Sequence, residues 1–275
     1  MKLGLFGLET TADRIVETAT TLEAAGYESY WRGEHLVLAD PRVPPSPVDP
    51  DTLMVDLLVS LTWAAAHTSH LKLGTGVLLL PQRNPVVVAK EWASFDYLSN
   101  GRLILGLGIG SIEQEYRAIG ADYSRRGEIL DEYLDAMATL WYDTKPHIHG
   151  RFVHIADVSA NPRPIQQPVP IVFGGRSPAA LRRCVARGNG WYGFRLDPEA
   201  TADALGQLRR IADDVRRPES LGELEISVSP VGVLTPELAE AYRELGVHRL
   251  VTFSAPGEGG LQRSIDTTLA AIAAG

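Results

Sequence analysis

The chain has 275 residues, 45% of them hydrophobic and 22% charged, with a formal net charge of -8. Such a length and composition suit one large α/β domain or two small ones with a sizeable core, and the acidic balance argues against nucleic-acid or anionic-membrane binding while permitting a local basic pocket. The single cysteine, Cys184, excludes an internal disulfide and reads as a buried structural thiol in a helix over 178–187.

The opening residues 1–6 are strand-like and too short for a signal peptide, and no apolar run reaches membrane-spanning length, so a cytoplasmic location is expected. Short apolar runs with strand character follow one another at 3–6, 29–32, 71–80, 103–109, 171–173, 190–194, 226–229 and 250–253. Each is followed by a helical pattern, such as Ile15, Ala19 and Leu22 in the first and Ile265, Leu269 and Ile272 in the last. Asn84-Pro85, Ser177-Pro178, Asp197-Pro198 and Thr235-Pro236 each place an N-cap residue before a proline at the first helical position. Gly26, Gly101, Gly188 and Gly246 fall where left-handed C-cap residues are expected. Eight βα units in one domain over 1–275 predict a single (β/α)8 TIM barrel, with a doubly wound sheet as the alternative.

Two connections are longer than a simple turn. Residues 33–51 carry Pro41, Pro44, Pro45, Pro47 and Pro50, too proline-rich for a helix and long enough for a lid over a pocket. Residues 144–168, before the fifth strand, hold His147, His149 and His154 in what reads as a small hairpin. No metal site is expected from these histidines, because a converging third ligand and its supporting shell are not visible in the spacing. Asp96 with Arg102 reads as a scaffold ion pair.

In a barrel the reactive groups follow the strands. Glu34 and His35 follow the second, and His35 either exchanges protons or hydrogen-bonds the lid. Gly174, Gly175, Arg176 and Ser177 follow the fifth, where close backbone approach, a helix start and a fixed charge make a phosphate site. Gly106, Gly108 and Gly110 punctuate the fourth strand, but the dinucleotide fingerprint fails because Ser111 stands at its third glycine. The glycines instead keep the mouth open for a flat ring, with Ser111 a small polar group facing the pocket. No Schiff-base lysine and no paired glycosidase carboxylates sit at strand ends. A bound cofactor is therefore expected to carry the chemistry on a small-molecule substrate.

The run from Leu71 to Val77 with Arg83-Asn84-Pro85, the run from Asp96 to Gly108, then Arg126-Gly127, the link from Pro162 to Gln166, Gly174-Gly175 and Gly190-Trp191-Tyr192 together resemble the luciferase-like monooxygenase superfamily. The likeness covers most of the chain and is greatest to the actinobacterial branch that uses coenzyme F420. It implies an oxidoreductase that passes a hydride between F420 and an organic substrate, with FMN the alternative cofactor for an oxygen-activating monooxygenase. A noncatalytic flavin-binding protein is the remaining alternative. The resemblance places the cofactor phosphate near Gly174 to Ser177, its ring against a bulge with a non-prolyl cis peptide at Gly76-Val77, and Trp191 beside it. It places His35 by the reactive ring carbon, with Glu34 assisting electrostatically. Ser111 replaces the catalytic glutamate of the glucose-6-phosphate-oxidising relatives, and Ile109 the arginine of bacterial luciferases. A homodimer is also implied, with 57–66 and 86–92 as contact segments.

Overall fold

A computed structural model describes residues 1–274. Eight parallel strands close on themselves: β1 Lys2–Phe6, β2 Ser29–Arg32, β3 Lys72–Thr75, β4 Leu103–Gly108, β5 Ile171–Gly174, β6 Gly190–Leu196, β7 Glu225–Pro230 and β8 Arg249–Phe253. Each strand pairs with its neighbours in sequence, and the ring is completed where Phe6 of β1 lies against Phe253 of β8. This is the (β/α)8 barrel that the alternating pattern predicts. The run over 71–80 is not one strand, however: after Thr75 the chain swells at Gly76 and Val77, whose peptide bond is cis, and rejoins β4 only at Leu78–Leu79.

The helices are α1 Ala12–Ala24, α2 Leu57–Ala66, α3 Pro85–Leu98, α4 Glu113–Ile119, α5 Arg126–Tyr142, α6 Pro178–Arg187, α7 Pro198–Asp214, α8 Pro236–Glu244 and α9 Gly260–Ala273. All four residue-proline joints act as foreseen, since Asn84, Ser177, Asp197 and Thr235 each accept a hydrogen bond from a first-turn N–H. Gly26, Gly101 and Gly246 are left-handed, but Gly188 is not, with φ at -96°. Gly188 answers to space instead: a Cβ there would lie 2.9 Å from both the Cys184 carbonyl and the Phe173 ring.

Strand alternation sorts the core into two layers. Phe6, Trp31, Ile104, Val172, Tyr192 and Val251 fill the barrel interior, while Leu5, Leu73, Leu105, Phe173 and Trp191 face the helices. The N-terminal end is closed by charge. Arg249, 1% exposed, donates to Glu28, Glu225 and Ser227, and Lys72 and Lys2 add to the same two carboxylates from outside. A cavity of about 350 Å³ opens there between Lys72, Gln166, Asn189 and Arg249, on the face that in this architecture serves stability.

The 144–168 insertion forms the expected hairpin, Ile148–His149 against His154–Ile155, with the two histidine rings stacked at 3.9 Å. Asp96 and Arg102 are not an ion pair. Asp96 accepts from the Gln166 backbone and side chain, while Arg102 donates to Thr68 and to the carbonyls of Ala65, Leu71 and Ser99. Among the described residues no helix is long and apolar enough to cross a membrane.

Candidate active site

The C-terminal mouth of the barrel has two unlike halves. On the β3–β5 side the wall is backbone. The Val77 side chain is seated on Gly108 and Gly174, where added Cβ atoms would come within 2.6 and 3.1 Å of it. Gly106 lets the Thr75 carbonyl approach so closely that a Cβ would sit 1.9 Å from that oxygen, and Thr75 returns a hydrogen bond to the Gly106 carbonyl at 2.6 Å. These glycines make room for the β3 bulge itself. On the β1, β6 and β8 side the wall is aromatic: Phe6, Phe194 and Phe253 stand with ring centroids 5.3 to 5.8 Å apart.

His35 follows β2 with a fifth of its side chain exposed. Its Nδ1 lies 2.5 Å from Oε1 of Glu115, a carboxylate only 1% exposed on the inner face of α4. The other oxygen, Oε2, accepts from the Gln82 amide at 3.0 Å. A carboxylate in that position fixes the proton on Nδ1 and leaves Nε2 as the nitrogen free for exchange. The sequence reads Glu34 as assisting His35 electrostatically, and in the structure no hydrogen bond joins the two. Glu34 is itself buried, accepts from the Leu79 N–H at 3.0 Å, and is clasped by Nε and Nη2 of Arg83 at 3.1 and 2.5 Å. Burial pushes its carboxyl above the usual carboxylate range, against the pull of Arg83. Glu34 thus ties the β2 exit to the β3 exit, and its charge is engaged away from His35.

Glu115 was missed because EQEYRAI reads as a solvated helical stretch. Its spacing held the signal: Ile112, Glu115 and Tyr116 recur at helical period, so Glu115 falls on the face that packs inward. The adjoining turn is held by α4, the start of α5 and the segment between them. Tyr116 donates to the Ile109 carbonyl, Tyr123 to that of Ser111 at 3.1 Å, and Arg126 to that of Gly110 at 3.3 Å. Gly110 is left-handed and Ser111 is exposed at the mouth.

The turn after β5 brings Gly174, Gly175, Arg176 and Ser177 together at the start of α6. Gly175 has φ of 101°, a conformation that L side chains avoid, and Ser177 caps α6 through Ala180 N. Arg176 is exposed and has no carboxylate partner among the described residues. Free N–H groups, a helix start and an unpaired guanidinium fit a phosphate. Trp191 does not belong to this surface. Its odd position on β6 points it at the helices, it is 0% exposed, and it acts from behind by donating Nε1–H to the Gly175 carbonyl at 2.9 Å. Among the described residues no group of three or more histidine, cysteine or acidic side chains converges for a metal.

The family profile described as luciferase-like monooxygenase matches residues 4–269. The chain is 31% identical over 182 residues, 65% of it and 51% of the relative, to an F420-dependent glucose-6-phosphate dehydrogenase of Kineococcus radiotolerans. It is 27% identical over 215 residues, 75% of it and 56% of the relative, to the oxygenase component of a flavin-dependent trigonelline monooxygenase of Acinetobacter baylyi. An F420-dependent secondary alcohol dehydrogenase, solved with an F420-acetone adduct, superposes with a TM-score of 0.80 at 16% identity over 98% of both chains. The chain therefore belongs to the luciferase-like monooxygenase family, whose members among its relatives include both F420-dependent oxidoreductases and flavin-dependent monooxygenases.

Proposed function

We propose that the protein is an F420-dependent oxidoreductase acting on a small organic molecule at the barrel mouth. The observation that carries this reading is the His35–Glu115 couple beside a glycine-lined wall. Hydride exchange with an organic substrate needs a proton delivered or removed nearby, and a histidine of fixed tautomer does that, at a typical gain of about 10² to 10⁴ in rate. The deazaflavin, when bound, supplies the hydride chemistry. The Gly174 to Ser177 turn would hold its phosphate, and Gly76, Val77 and Gly108 would line its ring, with Gly110 and Ser111 at the rim. Either group would leave the backbone cradle unchanged, so FMN, and with it oxygen activation, is the second reading; the trigonelline monooxygenase relative favours it.

His35 acts through Nε2, Glu115 holds its ring, and the Glu34–Arg83 pair holds the loops on either side. The proline-rich segment 33–51 covers the mouth and excludes water when substrate is present. Copies of the chain pair through α2 and α3, where Trp63, Val87, Tyr97 and Leu98 are exposed beside a groove of about 480 Å³ lined by Leu58, Thr62, Ala65 and Phe95.

Titration of the purified protein with F420 and with FMN tests the cofactor. Saturable F420 binding with weaker FMN binding is expected, and tight FMN binding without F420 binding overturns the assignment. His35→Ala should slow turnover of the reduced cofactor by about 10²- to 10⁴-fold while leaving its affinity unchanged. No turnover by the wild type with any substrate screened would leave a flavin-binding protein.

A further inference from the structure

Strand alternation along β6 sends Trp191 outward to the helices and Tyr192 into the barrel. Continued without interruption, it would drive Arg195 into the apolar layer beneath the helices and turn Leu196 inward. The strand does not continue. Gly193 pairs with Val228 and Leu196 with Pro230, so Phe194 and Arg195 together stand against Ser229 alone. This bulge returns Leu196 to the outer core, at 3% exposure, and releases both bulged residues to the mouth. Arg195 has φ of 51°, a left-handed conformation that is strained for a non-glycine residue and is characteristic of binding sites.

The two released side chains are complementary. Phe194 completes the aromatic wall with Phe6 and Phe253. The Arg195 guanidinium carbon lies 6.0 Å from the Phe253 ring centroid, at the edge of that wall. Arg195 forms no ion pair or hydrogen bond among the described residues. The carboxylates of Glu9, Glu34 and Glu115 are each engaged elsewhere, by Tyr30 and Arg32, by Arg83, and by His35 and Gln82. Arg176, which also has no ion-pair partner among the described residues, lies on the glycine side of the mouth.

We infer that Phe194 and Arg195 form the substrate subsite, and that the substrate is an apolar, ring-sized molecule bearing a carboxylate. The aromatic wall takes the apolar body and the guanidinium fork takes the planar anion. The inference rests on the mouth being the active site, and it divides that mouth into a cofactor half at β3–β5 and a substrate half at β6, β8 and β1.

The test uses the 275-residue chain without cofactor and two probes of nearly equal shape, 2-naphthoate and 2-naphthylmethanol, titrated by calorimetry. The wild type should bind the acid about 10-fold more tightly than the alcohol, the worth of one charge-assisted hydrogen bond. Arg195→Gln, which keeps the stem but not the charge, should equalise the two, and Arg195→Lys should retain part of the preference. Phe194→Ala should weaken both probes by the same factor and leave their ratio unchanged. Equal binding of acid and alcohol by the wild type overturns the inference, as does a preference that survives in Arg195→Gln. Because no cofactor is present, a failed F420 titration beside an intact acid preference counts against the cofactor alone.

Discussion

Arg249→Met removes the guanidinium that closes the N-terminal end of the barrel. Arg249 is 1% exposed and bridges Glu28 of the β2 entrance to Glu225 of β7, with its guanidinium carbon 5.6 Å from the Trp31 ring. Burial raises the Glu28 carboxyl, but the hydrogen bonds and charge of Arg249, helped by Lys72, outweigh it and hold the group at about 2, against an ordinary 4.5. That difference corresponds to roughly 3 kcal/mol, and the 21% of the side chain that remains exposed trims it to about 2 to 3 kcal/mol by solvent screening. Since the folded value lies below the unfolded one, this stability is complete above about pH 5 and is lost as pH falls toward 2. Removing one partner of a buried ionic cluster costs about 3 to 5 kcal/mol, so Arg249→Met should lower stability by that amount near neutral pH. Its loss of stability in acid should also be shallower than that of the wild type. Urea unfolding followed by tryptophan fluorescence across the acid range measures both effects. A cost under about 1 kcal/mol near neutrality, or an acid dependence equal to that of the wild type, refutes the reasoning.

Glu115→Gln replaces the charge-assisted acceptor of His35 by a neutral one and should slow turnover by about 10- to 100-fold with little change in cofactor affinity. The double variant with His35→Ala should be no slower than His35→Ala alone, as single-turnover rates will show. Gly106→Ala puts a methyl group 1.9 Å from the Thr75 carbonyl, where only backbone can yield. A loss of more than about 3 kcal/mol is expected in thermal unfolding, and a fully stable variant would contradict the close approach of β3 and β4. Burial pushes the Cys184 thiol up to about 12. At about pH 8 it should resist a thiol-disulfide reagent in the native protein and react once the chain is unfolded in denaturant.

Local chemistry was legible where the chain itself imposes it. The strand and helix periods, the four capped prolines and the left-handed glycines at 26, 101 and 246 arise from backbone geometry that neighbouring residues set, and together they specify a barrel. That His35 and the Gly174 to Ser177 turn stand at the C-terminal mouth could also be read, because both directly follow strands. The partner of His35 was not legible. Glu115 lies 80 positions away on another βα unit, and only closure of the barrel brings its carboxylate against the imidazole. The same closure placed Trp191 behind the Gly175 turn instead of on the mouth, since a side chain's face depends on strand register. A one-residue slip in register, at the β6 bulge, decided where Arg195 points. The sequence by itself determined the elements and which residues stand at each end of the barrel; the tertiary structure decided which charges are paired and which are not, because pairing depends on contacts between units distant in the chain.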